Sequence, residues 1–499
     1  MALRKKSLAL GSTVTLAGGA TGASLLALLM AASPASAVGP TYTVDTLDDG
    51  VANASDCTTP VVGSCSLRDA LDAEAGDDTI VFATGLSGTI LLTQGELEQN
   101  NNITISGPGK DLLTIDANGA SRIFYICSDS TIEGVTITGG SESHGGGLYD
   151  ECGGTTTLRN VLVTGNTATS GVGGGVEVEN LILIDSVIEG NTASESGGGV
   201  YASGYLTMSG SVISGNVAGV AKGGGGGAFV SGNITISDST FDDNSASSCG
   251  GGLYAGVSGG TVTITDSTFS NNTATTSYGG AIDIDGNYNT VVIANTTITG
   301  NSATLGGGLH VDYGNEASLF MDTISGNSAT STDALYSGGG VHVYGDTTYP
   351  VTLTMVGTIV SGNTAAAGPA DIGVGTSSTS GPNLATINDS LIGDVDSRLS
   401  ITGSGNVIST APGLGALADN GGHTKTMALL STSAAVDAGP NPVPTAPGWV
   451  NIFDQRGAGF DRVVGTKSDI GAFEIQATPA PTTTTTVASD EPVAPAFTG

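Results

Sequence analysis

Residues 241–285 read FDDNSASSCGGGLYAGVSGGTVTITDSTFSNNTATTSYGGAIDID, and one phrase occurs almost twice within them. An Asn-containing corner (Asn244, Asn272) is followed by a glycine cluster (Gly250 to Gly252, Gly279-Gly280), a short alternating strand, a turn and a second strand. Working outward, the phrase recurs from about His144 to Asn363. Its asparagines are Asn166, Asn191, Asn216, Asn244, Asn272, Asn301, Asn327 and Asn363, spaced 25, 25, 28, 28, 29, 26 and 36 residues apart. Glycine clusters keep step with them. Two markers in register are the mark of a solenoid whose coils of roughly 25 to 28 residues tolerate insertions at a corner.

The strand after each glycine cluster alternates with period two, as in Val176-Glu177-Val178-Glu179, Ile282-Asp283-Ile284-Asp285 and Leu309-His310-Val311-Asp312. That pattern puts apolar side chains inside and polar ones outside a β-sheet. Ile234-Thr235-Ile236 and Val262-Thr263-Ile264 repeat it in the second strand. Helical repeats would not survive so much glycine, whereas Gly and Asn turn a chain between strands at little cost. The reading is all-β: a right-handed, single-stranded parallel β-helix, a pectin lyase-like solenoid. The recurring asparagines are expected to hydrogen-bond at the corners.

With 80 glycines and 12% charged residues, the 499-residue chain is one extended repetitive body rather than several compact domains. Its net charge of −33 repels nucleic acid, anionic membranes and anionic polysaccharides, and suits divalent cations, neutral sugars or basic proteins. Arg4, Lys5 and Lys6, the apolar run Leu25 to Met30 and Ala35-Ser36-Ala37 read as a secretory leader over residues 1–37. No further apolar run is long enough to span a membrane. In an oxidising compartment the five cysteines leave one over. Cys57 with Cys65, and Cys127 with Cys152, one coil apart, are the disulfide candidates.

Cys65-Ser66-Leu67-Arg68-Asp69-Ala70-Leu71, followed by Gly76 to Phe82, resembles the CSLREA domain of exported bacterial β-helix proteins, with Asp69 where that motif has glutamate. Gly279-Gly280-Ala281-Ile282, Phe241-Asp242-Asp243-Asn244 and Phe269-Ser270-Asn271-Asn272 resemble the GGAI and FxxN halves of chlamydial polymorphic outer membrane protein repeats. Asp419 to Thr424, Asp437-Ala438-Gly439, Asp454-Gln455-Arg456-Gly457 and Asp469 to Glu474 resemble the choice-of-anchor Q domain. These likenesses imply a surface protein with an adhesive role. The expected organisation is a leader over 1–37, a CSLREA-like cap over 38–100 and β-helix coils over 101–365. An anchor-Q-like module continuing the solenoid follows over 366–476, then a Thr/Pro-rich disordered tail over 477–499. No autotransporter barrel is expected after the coils. The final Pro495 to Gly499 faintly resembles a sortase signal lacking its apolar and basic parts.

The implied fold is shared with pectate lyases, so a polysaccharide hydrolase or lyase is the rival to an adhesin-like binder of carbohydrate or a host or surface protein. A non-binding surface scaffold is the third reading. A lyase acting on uronates needs a basic group beside metal-binding carboxylates, but between Gly140 and Asn363 only Arg159 and Lys222 are basic. A hydrolase needs two carboxylates about 5 to 10 Å apart. Asp283, Asp285, His310 and Asp312, with His342, should share one outward face; they are the catalytic candidates. Asp283, Asp285 and Asp312 are also the candidates for calcium, the one cofactor the acidic face suggests. Tyr201, Phe229 and Tyr254 should stack as an exposed platform for sugar rings or a partner protein. A threonine column through Thr207, Thr235 and Thr263 suggests ice binding, with Ile182, Val292 and Phe320 as interruptions. Oligomeric state is not encoded in these patterns.

Overall fold

The computed structural model describes residues 39–59, 61–219, 224–334, 337–375 and 383–476. The leader expected over 1–37 and the tail expected over 477–499 lie outside the described residues. From Gly39 to Ile408 the described residues build an all-β, right-handed parallel solenoid. A full coil lays down four strands where the sequence pattern showed two. In one coil these are Val176–Val178, Asn180–Ile184, Val187–Glu189 and Thr192–Ala193. Stacked coil on coil, they make four parallel sheets: sheet A of 11 strands, sheet B of 14, sheet C of 13 and sheet D of 9.

Like side chains stack on like inside. Sheet A contributes Leu253, Ile282, Leu309 and Val341, sheet C contributes Phe269, Ile298 and Ile324, and sheet D a run of alanines from Ala246 to Ala329, all buried. Phe241 lies on Phe269 with centroids 4.7 Å apart. Each buried Ile, Leu or Phe stabilises by about 1.5–3 kcal/mol, but only against a neighbouring coil, so stability accumulates along the stack.

The asparagines form a buried ladder. Asn272 Nδ2 donates to Asn301 Oδ1 (2.9 Å) and to the Phe241 carbonyl (3.0 Å). Its own Oδ1 accepts from Asn244 Nδ2 (2.9 Å) and the Asn244 amide (3.1 Å). The ladder ends on Asp371, whose Oδ1 accepts from Asn363 Nδ2 at 2.9 Å. A corner this tight needs glycine after it. At Gly251 an added Cβ would stand 2.4 Å from the Gly280 carbonyl oxygen and 2.5 Å from Thr273 backbone.

The N-terminal segment is part of the stack: strand Thr41–Val44 pairs with Asp78–Phe82, which pairs with Ile103–Ser106. Helix Leu67–Ala73 buries Leu67, Ala70 and Leu71 against the core. Its capping box needs a carboxylate at Asp69, which accepts from the Ser66 amide while Ser66 Oγ accepts from the Asp69 amide. Disulfides join Cys57 to Cys65 (Cα–Cα 4.8 Å) and Cys127 to Cys152 (4.7 Å), and Cys249 is free.

Residues 366–476 were expected to continue the solenoid, and they do so only through strand Val407–Ile408. Beyond it the chain turns back along its own flank. Leu414–Ala418 and Thr426–Leu429 form an antiparallel pair, and Pro440, Pro442, Pro444 and Pro447 remove the amides that a parallel ladder needs. The returning segment clamps the corner between sheets B and C. Thr297 Oγ1 donates to Gln455 Oε1 (2.5 Å), Gln455 Nε2 donates to the Ser267 carbonyl (2.9 Å), and the Ala472 amide donates to Thr323 Oγ1 (2.9 Å). Arg456 lies between the rings of Phe460 and Phe473. Among the described residues no helix is long and apolar enough to cross a membrane.

Candidate functional site

The outward positions of sheet A make one column, paired layer by layer: Tyr125, Tyr149, Glu177, Tyr201, Phe229, Tyr254, Asp283, His310 and His342. Two residues further along their chains, Glu151, Glu179, Asp285 and Asp312 emerge on the same side. The register is the one the glycine clusters implied, but the surface it makes differs along its length.

In the middle stand Tyr201, Phe229 and Tyr254, half-buried. Their rings stack at 5.0 and 4.6 Å with interplanar angles of 10° and 15°. The expected flat platform is not what forms. A parallel register sets identical rotamers about 4.8 Å apart, close to ring-stacking distance, so the faces turn onto one another and edges meet solvent.

Next along the column, the structure brings Asp283, Asp285, His310, Asp312 and His342 together as expected, yet it seals rather than exposes the centre of the group. Asp283 and His310 are each 2% exposed and His342 is fully buried. Tyr278 lies flat on His310 at 4.6 Å, and Tyr254 Oη donates to Asp285. Asp283 Oδ1 is 4.0 Å from His310 Nε2 and has no hydrogen-bond partner. Burial, then the nearby charges of Asp285 and Asp312, push the Asp283 carboxyl well above its ordinary range. Burial drives the His310 imidazole down to about 3, and it lowers His342 too, with His310 and Arg398 adding to the effect. Burial lifts Asp312 to about 6, and burial beside Asp283 raises the Cys249 thiol to about 11. The centre of the group, Asp283 with His310 and His342, is therefore closed to solvent, and Asp285 and Asp312 stand half-buried at its edge.

The carboxylates also face different partners: Asp285 accepts from the Gly286 amide (2.6 Å) and Asp312 from the Tyr313 amide (2.9 Å). Among the described residues no group of three or more His, Cys, Asp or Glu is arranged to hold a metal ion, and Asp283, Asp285 and Asp312 do not form one.

The open part of the column lies earlier. Tyr149, Glu151, Glu177, Glu179 and Tyr201 line a cleft of about 290 Å³. His144 Nδ1 meets Glu177 Oε2 at 3.1 Å, and the Arg122 guanidinium sits 4.7 Å from the Tyr149 ring centre while pairing with Glu96 at 3.1 Å. Burial raises the Glu177 carboxyl, and His144 opposes the rise. Glu179 is exposed. The cleft therefore offers hydrogen-bond acceptors and negative charge between two aromatic side chains.

His144, Glu151, Arg122 and Tyr278 were not foreseen. Their signal is positional for two of them: His144 and Tyr278 each stand directly before a glycine cluster, and each covers the outward residue of the following coil, Glu177 and His310. The threonine column is real through Thr207, Thr235 and Thr263. Ile182 and Val292 interrupt it, but Ser318 occupies the place expected for Phe320, which stands in the next column. Trp449 of the returning segment packs beside it against Ala294 and Met321.

Comparison with known proteins agrees with this architecture. The family "Right handed beta helix region" matches residues 220–365, and the Chlamydia polymorphic membrane protein repeat matches residues 185–203. No curated protein matches the chain. Among solved structures, pectate lyase Pel9A is similar with 15% identity and a TM-score of 0.36, covering 88% of this chain and 96% of that one. A mannuronic acid specific polysaccharide family 6 lyase from human gut microbiota gives 12% identity and a TM-score of 0.34, covering 75% and 84%. The chain is thus a right-handed parallel β-helix, and its residues 185–203 are similar to the Chlamydia polymorphic membrane protein repeat.

Proposed function

We propose that this chain is a secreted or cell-surface β-helix that acts as an adhesin-like binder, holding a glycan or partner protein against the outward side of sheet A. The observation that supports this most is the contrast within one column. Tyr149, Glu177 and Tyr201 border an open cleft, while Asp283, His310 and His342 are buried behind Tyr278 and Tyr254 and only Asp285 and Asp312 of that group are half-exposed. Negative charge at the cleft and over the whole chain favours neutral or basic ligands. The CSLREA-like cap and anchor-Q-like module belong to this reading as parts of a displayed surface protein.

A glycan array combined with a screen of basic proteins tests it. Binding lost in Tyr201→Ala and Glu177→Gln, without release of reducing or unsaturated ends, is the expected result. Polysaccharide cleavage abolished by Asp283→Ala would overturn it in favour of an enzyme. Neither binding nor cleavage would leave a surface scaffold.

A further inference from the structure

Four tyrosines from three successive coils meet at the turn that follows sheet A, away from the cleft. Tyr288 and Tyr349 approach at 5.9 Å and 69°, Tyr313 and Tyr349 at 6.4 Å and 84°, and Tyr313 and Tyr344 at 4.9 Å and 83°. These are edge-to-face contacts, unlike the stack of Tyr201, Phe229 and Tyr254. Such packing uses one face of a ring and leaves others open: Tyr288 is 64% exposed and Tyr349 36%. Unlike scattered surface apolar groups, they form a cluster.

The corner is held in place by its own backbone. Tyr288 has a φ of +62°, a left-handed conformation that a bulky side chain rarely adopts and that clusters at functional positions. Its ring lies over Gly314, where an added Cβ would stand 3.6 Å from it. The Gly314 amide donates to the Tyr349 carbonyl (3.1 Å). Asp346 Oδ1 accepts from the amides of Thr348 (2.7 Å) and Tyr349 (2.8 Å), fixing that turn.

We propose that this corner is a second binding site, for neutral pyranose chains. Open tyrosine faces receive the C–H faces of sugar rings, and phenol hydroxyls with the carboxylates of Asp312 and Asp346 bond to sugar hydroxyls. The same carboxylates, on a chain of net charge −33, repel uronate polymers. Ordered backbone at Tyr288 and Tyr349 lowers the entropy lost on binding. The site uses none of the residues of the Glu177 cleft, so either can fail alone.

Affinity electrophoresis of the full chain through gels containing mannan, a mixed-linkage β-glucan or polygalacturonate tests the proposal. Retardation by at least one neutral polymer and none by polygalacturonate is expected. Tyr288→Ala and Tyr349→Ala should each weaken it by roughly tenfold, with an unchanged circular dichroism spectrum, and Thr235→Ala, at an exposed position on sheet B, should leave it intact. The proposal is overturned if no neutral polymer retards the chain, if polygalacturonate does so equally, or if retardation survives both tyrosine variants. Loss in Tyr201→Ala alone would move the binding to the cleft and also overturn it.

Discussion

His310 and His342 lie face to face in adjacent coils, their Nδ1 atoms 2.9 Å apart and their ring centres 5.0 Å apart, with neither ring reaching solvent. One Nδ1 must carry a proton and the other accept it, so the contact needs two neutral imidazoles of opposite tautomer. Protonating either ring places a charge in a buried site beside a second basic group.

This pair predicts acid sensitivity. His310 titrates near 3 in the fold, against an ordinary value near 6.5 in the unfolded chain. The unfolded chain therefore binds the extra proton between those values, and stability falls as pH drops below about 6.5. At pH 5 the cost from His310 is about 2 kcal/mol. Urea unfolding at pH 8 and pH 5 should show His310→Gln losing less stability than the natural chain across that interval. An identical loss in both proteins would refute a buried neutral pair.

Asp283 predicts the opposite sign. Its carboxyl is raised by burial and by Asp285 and Asp312, so the stability it allows is present at low pH and is lost as pH rises through its folded value. Asp283→Asn should be more stable than the natural chain at pH 8, with the gain shrinking toward pH 4 as both side chains become neutral. Melting curves at the two pH values decide the matter. A variant less stable at pH 8 than at pH 4, relative to the natural chain, would show that the charged carboxylate is stabilising.

These predictions rest on burial, which the sequence did not disclose. The period-two alternation at Ile282 to Asp285 and Leu309 to Asp312 and the glycine clusters were enough to place Asp283 opposite His310, because register in a solenoid follows from repetition. Whether an outward residue meets water depends on Tyr278 and Tyr254, which reach it from neighbouring coils, and local periodicity carries no signal of that. The third and fourth strands were hidden for a similar reason. Val187–Glu189 buries one side chain, Ile188, and Thr192–Ala193 buries only Ala193, too few to display an alternation. The turned-back segment was misread because its motifs suggested a module in line with the coils, whereas Gln455 bonds to coils about 190 residues earlier.

The asparagine ladder makes a quantitative claim about one residue. Removing the Asn272 side chain strands the Asn244 amide and takes a partner from Asn244 Nδ2, the Phe241 carbonyl and Asn301 Oδ1, all in a buried row, although Asn244 Nδ2 keeps the Ile213 carbonyl and Asn301 Oδ1 keeps the Asn272 amide. Some regain partners by small shifts, so Asn272→Ala should cost about 3 kcal/mol. Chemical unfolding monitored by circular dichroism measures it, and a cost under about 1 kcal/mol would mean that water or neighbouring groups satisfy the row.

The returning C-terminal segment should detach before the coils melt. It is held by polar contacts, among them Gln455 to Thr297 and Ser267 and the Ala472 amide to Thr323, and by two small apolar anchors, Trp449 with Ala294 and Met321, and Leu429, Ala435 and Ile470 with Ile359 and Leu391. The coils behind it are joined by a full hydrogen-bonded ladder in every layer. Trp449 is the chain's single tryptophan and only 7% exposed, so its fluorescence reports docking directly. Gln455→Ala leaves Thr297 Oγ1 and the Ser267 carbonyl without this partner, a loss of about 1–3 kcal/mol for each stranded group. In that variant the emission should shift to the red at a lower urea concentration than in the natural chain. The far-ultraviolet β signal of the coils should keep its midpoint. Coincident shifts of both signals would show that segment and solenoid unfold as one unit, with the clamp contributing to the stability of the whole stack.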